Sequence, residues 1–473
     1  MAYPIPFSAQ QIAQILDTQC VNRKSTASER TPLSLTLDSR EANQNVLFIA
    51  LIGEKIDAHQ FIVDVSAKKS VVVCHPSWLE QNPQVSGIFI PVKDTTEALQ
   101  KIATAHATSQ KATRIAITGS NGKTTTKDML TEVMSAFGST ISTLANHNNH
   151  IGLPQTLLRI APENEFAILE MGTNHPGEIR TLTHIGQPQI AMITCVGQSH
   201  LEFFIDEDNV LIEKVCIAES LDQNGILLIN ADDDRLWKWS LENTHAPYRI
   251  IGVGTQRGQI RAENISFDAE SKATFVVNND TFSLNVPGLH QITNALLVIA
   301  TAQVLGVETS TIQNALAHSK GSSMRMEKRT LLGRHLILDC YNANPSSTLA
   351  AINSFSQMKT ENGVKIAVIG DMLELGIHAE KYHLDIAHAL LDTTFSKILL
   401  VGPLCKFIFD FLNQNAPQKA CEWFENSELL QAQITQKTQN GDTLLLKGSR
   451  GTALEKILLG LSETQSSLGD KTL

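Results

Sequence analysis

Apolar runs of three to five residues punctuate this chain, and longer amphipathic stretches separate them. Ile115-Ala-Ile117, Phe166-Ala-Ile-Leu169, Ile190-Ala-Met-Ile-Thr194, Ile226-Leu-Leu-Ile229 and Ile250-Ile-Gly-Val253 are too short for helices and show no polar alternation. That texture marks strands buried on both faces, and strands alternating with helices predict a parallel sheet. The same pattern returns late in the chain at 336–338, 366–369, 398–401 and 444–446, with helices expected at 346–358, 380–391, 404–413 and 428–438. A second doubly wound, Rossmann-like sheet is the natural reading. The first hundred residues predict a smaller α/β unit. It has a helix capped by Ser8 and running through Leu16, strands at 33–37, 46–50 and 71–74, and a helix at 95–108. Between 259 and 286 the pattern switches to period-two alternation around Asn278-Asn279-Asp280, as in an antiparallel hairpin, and helices at 291–305 and 310–318 follow.

The expected fold is therefore α/β in three domains. Residues 1–109 form a small α/β N-terminal domain. Residues 110–321 form a central parallel-sheet, P-loop ATPase-like domain with an antiparallel appendage, and 322–473 form a Rossmann-like doubly wound C-terminal domain. The polar joint Ser109-Gln-Lys-Ala112 and the linker-like Lys320-Gly-Ser-Ser323 mark the boundaries, and the Ser/Thr/Gln-rich tail after Leu461 is expected to fray.

Composition narrows the function. With 42% apolar and 18% charged residues the chain is of the soluble globular class, and its net charge of −10 argues against general nucleic-acid binding. Positive charge for an anionic ligand must be gathered locally, with Lys123 and Lys127 as candidates. Seven scattered cysteines without a C-x-x-C pair fit neither a disulfide framework nor a zinc site. The N-terminus lacks a basic start followed by an apolar core, and no apolar run is long enough to span a bilayer, so a cytoplasmic protein without a transmembrane segment is expected.

The strand at 115–117 runs into Thr118-Gly119-Ser120-Asn121-Gly122-Lys123-Thr124-Thr125 and then a helix carrying Met129, Leu130, Val133 and Met134. A strand, a glycine turn and a helix make a phosphate cradle. Amides at the helix start point at the anion, Lys123 adds charge, and the Thr124 hydroxyl stands where P-loops hold a metal. Ile117 replaces the first glycine of the general P-loop pattern. Two further groups stand at strand ends of the same sheet: Glu170 directly after Leu169, and His200 after the strand ending near Val196. Both are placed to converge with Lys123 and Thr124 on a metal. Asp38-Ser39-Arg40 and the cluster from Gly53 to His59 also follow strands, and each reads either as a turn or as a ligand loop.

The loop from Thr118 to Thr125 resembles the ATP loop of the Mur ligases, the ATP-dependent amide-forming enzymes of peptidoglycan synthesis, in which the first P-loop glycine is absent. The resemblance extends over nearly the whole chain. It implies uridine-nucleotide binding by the N-terminal domain through Ser39 and Arg40, and an acyl-substrate loop at Asn148-Asn149-His-Ile-Gly152. It also implies adenine contact by Asn294, a phosphate contact by Arg325, and a ribose- and amine-facing loop with Asp339, Tyr341, Asn342 and Asn344. The cofactor residues it implies are Gly119, Ser120, Asn121, Gly122, Lys123, Thr124, Thr125, Asn294, Arg325, Asp339 and Tyr341. The catalytic group is Lys123, Glu170, His200, Lys214 and Arg325, with Mg2+ on Thr124, Glu170 and His200.

Four stretches, Met171-Gly-Thr-Asn-His-Pro-Gly-Glu178, Tyr341-Asn-Ala-Asn-Pro345, Gly370-Asp-Met-Leu-Glu-Leu-Gly376 with His383, and Leu446-Lys-Gly-Ser-Arg-Gly451, resemble the member that adds D-alanyl-D-alanine. The implied reaction joins that dipeptide to UDP-N-acetylmuramoyl-tripeptide through an acyl phosphate, in a protein expected to act as a monomer. The rival readings are a Mur-type ligase for another amine and a non-ligating P-loop ATPase. Two departures stand out. A Phe-Gly-Ser run usual after the histidine is Phe204-Ile-Asp-Glu-Asp208 here. Lys214, where relatives carry a carbamylated lysine, is followed two positions on by Cys216 instead of an acid. A solvated helix face is the other reading of Lys214.

Overall fold

The computed structural model describes residues 2–25, 29–360 and 363–462. The expected frayed tail lies outside them from 463 on. Four sheets organise the described residues. The N-terminal sheet has six strands, in which Pro32–Thr36, Val46–Ile49, Val71–Cys74 and Gly87–Pro91 run parallel and antiparallel Tyr3–Ser8 and Val21–Arg23 close the edges. The helix after the first strand starts at Ala9 and is capped by Ser8 as expected; the structure adds a capping box, with Ser8 and Gln11 satisfying each other's free backbone amides.

The central sheet has seven parallel strands in the spatial order Ile260–Arg261, Arg249–Gly254, Ile226–Asn230, Ile190–Ile193, Thr113–Thr118, Phe166–Glu170, Thr140–Ser142. From Thr113–Thr118 the chain first builds outward on one side, then crosses to Ile190–Ile193 on the other. That reversal opens a crevice at the C-terminal end of the first strand, where the glycine loop emerges. Ile115 and Ile117 point to one face, against Met129, Leu130, Ile292 and Leu296. Ala116 points to the other, against Leu153, Leu157, Ile179 and Leu182.

That second face is continuous with the N-terminal core. Leu99 and Ile102 of helix Thr95–Ser109 belong to the same apolar cluster, and Thr104 Oγ1 donates to Ile185 O at 2.9 Å. The helix that ends the first unit is thus also packing for the second.

The expected appendage is a three-stranded sheet, Glu263–Phe267, Lys272–Val277 and Asp280–Pro287. Asn278 and Asn279, with φ of 50° and 73°, form its two-residue turn. The C-terminal sheet has five parallel strands plus antiparallel Glu327–Leu331. Its expected helix at 428–438 is broken into Ser427–Gln431 and Ile434–Lys437; Leu430 and Ile434 are its only buried apolar side chains, too little to hold a continuous helix. Residues 320–323 are irregular as expected, yet they are fastened to helix Lys123–Ser135. The Lys320 amide donates to Glu132 Oε1 at 3.3 Å and the Ser322 hydroxyl donates to Asp128. No helix among the described residues is long and apolar enough to cross a membrane.

Candidate active site

A cavity of about 680 Å³ lies at the C-terminal edge of the central sheet and is closed over by the C-terminal unit. The glycine loop forms its floor. Gly119 (φ 149°) and Gly122 (φ 83°) occupy backbone conformations that suit glycine. A Cβ at 119 would stand 1.9 Å from Thr194 Oγ1, and one at 122 would stand 2.6 Å from Asn294 Oδ1. The loop therefore folds tightly against both the neighbouring strand and the helix that bears Asn294. Ser120 fixes it laterally: its hydroxyl donates to Gly197 O at 3.1 Å and accepts the Gly197 amide at 2.9 Å. Lys123 begins the helix, and its Nζ folds back onto Gly119 O at 2.6 Å. Burial, with Arg325 nearby, holds this ammonium below its ordinary value against the pull of Glu170.

Register places Glu170 beside Ile117, one strand over from the loop. Its Oε1 accepts Thr124 Oγ1 at 3.2 Å and Asn148 Nδ2 at 3.0 Å. Its Oε2 is buried without a partner. An unpartnered buried carboxylate oxygen is costly unless a cation completes it, so the Thr124 and Glu170 oxygens fit the expected metal. His200 lines the same cavity, so the three expected ligands are gathered in one place.

Lys214 does not line the cavity. It is buried on helix Glu207–Val215, where burial, with Lys123 nearby, pushes its ammonium down to about 7, so the reading as a solvated face is overturned. Its neighbour Glu213 turns the other way and accepts the Gly177 and Ile179 amides, both at 2.7 Å, at the start of helix Glu178–Gly186. Lys127, expected to share in local positive charge, is spent elsewhere, donating to Thr143 O at 3.2 Å and pairing with Asp128 at 3.0 Å.

The C-terminal unit supplies the roof. Arg325 donates to Thr124 Oγ1 at 3.1 Å and lies over the Tyr341 ring at 4.4 Å. Asn344 caps helix Pro345–Gln357 by accepting the Ser347 amide, and it exchanges hydrogen bonds with Asn121 of the glycine loop at 2.9 and 3.3 Å. Asn149 Oδ1 accepts the Ile151 amide at 3.2 Å and the Gly152 amide at 2.8 Å, just ahead of helix Gly152–Leu158. Ser120, Asn121, Gly122, Thr125, Asn148, Asn149, Asn294, Arg325, Asp339, Tyr341, Asn342 and Asn344 all line the cavity. Ser39 and Arg40 do not. Arg40 is exposed on the N-terminal unit and bound bidentately by Asp38, whose carboxyl the guanidinium lowers to about 2.

Among the lining residues given no role from the sequence are Lys447 and Glu374, although the stretches that contain them, 446–451 and 370–376, carry part of the resemblance. Lys447 ends strand Thr443–Lys447, pairs with Asp339 at 3.0 Å across adjacent strand ends, and donates to Asn342 O at 2.8 Å. A lysine closing an apolar run was the available signal, the same one that exposed Glu170. Glu374, whose Oε2 stands 2.6 Å from His200 Nδ1, lies in the resembling stretch 370–376, but nothing in the sequence pointed to His200 as its partner.

Asp371, His383 and Cys405 bring donor atoms within 4.8 Å of one another in the C-terminal unit. They do not make a metal site. His383 Nε2 accepts the Met372 amide at 3.2 Å and Nδ1 donates to Ala379 O at 2.7 Å, so no ring lone pair remains.

Residues 117–302 match the family model described as Mur ligase middle domain, and residues 324–450 match that described as Mur ligase, glutamate ligase domain. A relative from Bacillus subtilis (strain 168), named UDP-N-acetylmuramoyl-tripeptide–D-alanyl-D-alanine ligase, is 33% identical over 435 residues, covering 91% of this chain and 93% of its own. The protein of that name from Escherichia coli (strain K12) is 31% identical over 456 residues, covering 94% and 97%. The crystal structure of MurF from Acinetobacter baumannii superposes with a TM-score of 0.85 at 29% identity, over 97% of this chain and 100% of that one.

Proposed function

This chain belongs to the Mur ligase family, and from that premise we propose that it uses ATP to join D-alanyl-D-alanine to the terminal carboxylate of UDP-N-acetylmuramoyl-tripeptide. One observation carries the assignment of the site. A buried carboxylate with a free oxygen, Glu170, shares a cavity with the cations Lys123 and Arg325 at the mouth of a glycine loop. That is the charge pattern required to bring an anionic acyl substrate to an anionic phosphate donor.

In the first step an oxygen of the tripeptide carboxylate attacks the γ-phosphorus of ATP, and ADP leaves. In the second, the amine of the dipeptide attacks the acyl carbon, the bond from carbon to the phosphate oxygen breaks, and the nitrogen loses a proton. Lys123 and Arg325 spread the charge of the transferring group, while the amides at the start of helix Lys123–Ser135 orient the phosphates. Thr124, Glu170 and His200 would hold Mg2+, which supplies further charge neutralisation when bound. In this reading Asn148 and Asn149 would contact the acyl substrate, Asn294 the adenine, and Asp339 and Tyr341 the ribose. Asn342 and Asn344 sit toward the amine, and Ser39 and Arg40 hold the uridine nucleotide.

Lys214, held near 7, exists in part as the neutral amine that adds CO2 with loss of a proton, which supports its reading as a carbamylated lysine. The three units, 1–109, 110–321 and 322–473, would then bind the UDP end, the ATP and the dipeptide. Swinging at 320–323 would open the roof and shut water out on closure.

A coupled phosphate-release assay with UDP-N-acetylmuramoyl-tripeptide and a panel of amines tests this reading. Release is expected only when tripeptide and D-alanyl-D-alanine are both present. Turnover of ATP alone would make the chain a non-ligating ATPase, and preference for another amine would reassign the substrate.

A further inference from the structure

Glu374 reaches from the C-terminal unit to the central one and grips a single turn twice. Its Oε2 stands 2.6 Å from His200 Nδ1, an ion-pair contact lying off the ring N–H axis. Its backbone carbonyl accepts the Glu202 amide at 3.2 Å. Both partners hold left-handed backbones, with φ of 53° at His200 and 62° at Glu374. Outside glycine such conformations persist where the surroundings over-determine them, and they gather at functional sites. The approach is close: a Cβ on Gly376 would sit 3.1 Å from Glu202 Cα. Glu374 lines the cavity, yet its side chain is 47% exposed, so the pair adds little to stability. What a carboxylate at Nδ1 does is select a tautomer. Although no hydrogen bond is formed, the nearby charge favours the proton on Nδ1 and leaves the lone pair on Nε2; a small rotation onto the N–H axis would complete the contact by which carboxylates set metal-binding imidazoles.

We propose that Glu374 is a positioning residue for His200, so that the metal site of the central unit is completed by a carboxylate delivered from the C-terminal unit when that unit is seated. Seating the roof and finishing the metal site are then one event. The inference rests on the proposed role of His200 as a ligand.

The test is Mn2+ titration followed by electron paramagnetic resonance on the full chain, together with the Mg2+ dependence of ligation and the melting temperature. The variants are Glu374→Gln, Glu374→Asp and Glu170→Ala. Glu374→Gln is expected to weaken Mn2+ binding by about 10-fold at an unchanged melting temperature, with Glu374→Asp recovering part of the loss. If Glu170→Ala weakens Mn2+ binding while Glu374→Gln does not, this inference is overturned and the metal site stands. If Mn2+ binding is the same in the wild type and Glu170→Ala, the metal reading itself fails and takes this inference with it. A loss in Glu374→Gln that tracks a lowered melting temperature, with no recovery in Glu374→Asp, would show a merely structural contact and overturn it as well.

Discussion

Two carboxylates occupy matching places in the two large sheets and have opposite fates. Glu170 ends strand Phe166–Glu170 of the central sheet, and Asp371 directly follows strand Lys365–Gly370 of the C-terminal sheet. Each is only 2% exposed. Asp371 Oδ1 accepts the Cys405 amide at 2.7 Å, at the free N-terminus of helix Cys405–Asn415, and the imidazole beside it has both nitrogens engaged. Burial raises the Asp371 pKa, with backbone amides opposing it. Glu170 is satisfied on one oxygen only, and the other is buried at the edge of a cavity. Residue class, burial and topology are shared. What separates a site from a cap is hydrogen-bonding capacity left unspent beside an open volume.

The largest effect should come from the cation beside Glu170. Lys123→Ala is expected to lower ligation on the order of 10³-fold while the melting temperature and uridine-nucleotide binding hold; retained turnover would remove the glycine loop from the reaction. Glu170→Ala should cost about 10²-fold at limiting Mg2+, partly recovered by excess metal, with stability unchanged or higher because an orphaned charge is gone. An unaltered metal requirement would end its ligand role. Asp371→Ala should do the reverse, losing about 3 kcal/mol of stability while the Mg2+ dependence of the remaining folded enzyme is untouched. If Asp371→Ala instead shifted metal dependence, the contrast between the two carboxylates would collapse.

How legible this was follows the same physics. Strands buried on both faces announced themselves as apolar runs, so the parallel cores of both large sheets were readable, as was Glu170 at the end of one. Edge strands were not. Thr140–Ser142, Glu327–Leu331 and Cys421–Phe424 are mostly half-exposed and carry no apolar run, so only pairing defines them. Side chains that act through tertiary approach were equally hidden: Glu374 meets His200 across 174 positions of sequence. Lys127 misled because charge alone does not say where an ammonium points, and its own helix turns it toward Thr143. The general pattern for a phosphate loop was weakened by Ile117, whose side chain the fold spends on the core against Met129 and Leu130.

Lys214 extends the contrast to a cation, since it too is buried but is shifted by burial rather than held by a partner carboxylate. Its folded value of about 7 lies below the unfolded value of about 10.4. Between those values the unfolded chain binds more protons, so the contribution of this group to stability rises with pH across that window. Below about 7 its penalty is full and constant. In CO2-free buffer, Lys214→Met should flatten the pH dependence of stability between 7 and 10 and stabilise the protein at pH 7 on the order of 2 kcal/mol. An unchanged slope would mean that Lys214 is solvated after all.

The smallest effect concerns strain left in place beside the site. Ile205 holds φ 72° and ψ −55°, and the Asp206 amide closes onto Phe204 O at 2.8 Å. That is a γ-turn of the rare, strained hand, centred on a β-branched residue. The residue is 71% exposed, so little burial offsets the strain. Relief of about 1–3 kcal/mol on substitution by glycine is reduced by about 0.5–1 kcal/mol of extra chain entropy in the unfolded state. Ile205→Gly should therefore stabilise the protein by about 1 kcal/mol in thermal unfolding, with ligation little changed because Ile205 does not line the cavity. A fall in stability would show that the turn is held by contacts of the isoleucine and not endured despite it. A rise in stability coupled to lost ligation would place the strain in the service of His200, five residues upstream, and move this turn to the functional side of the comparison.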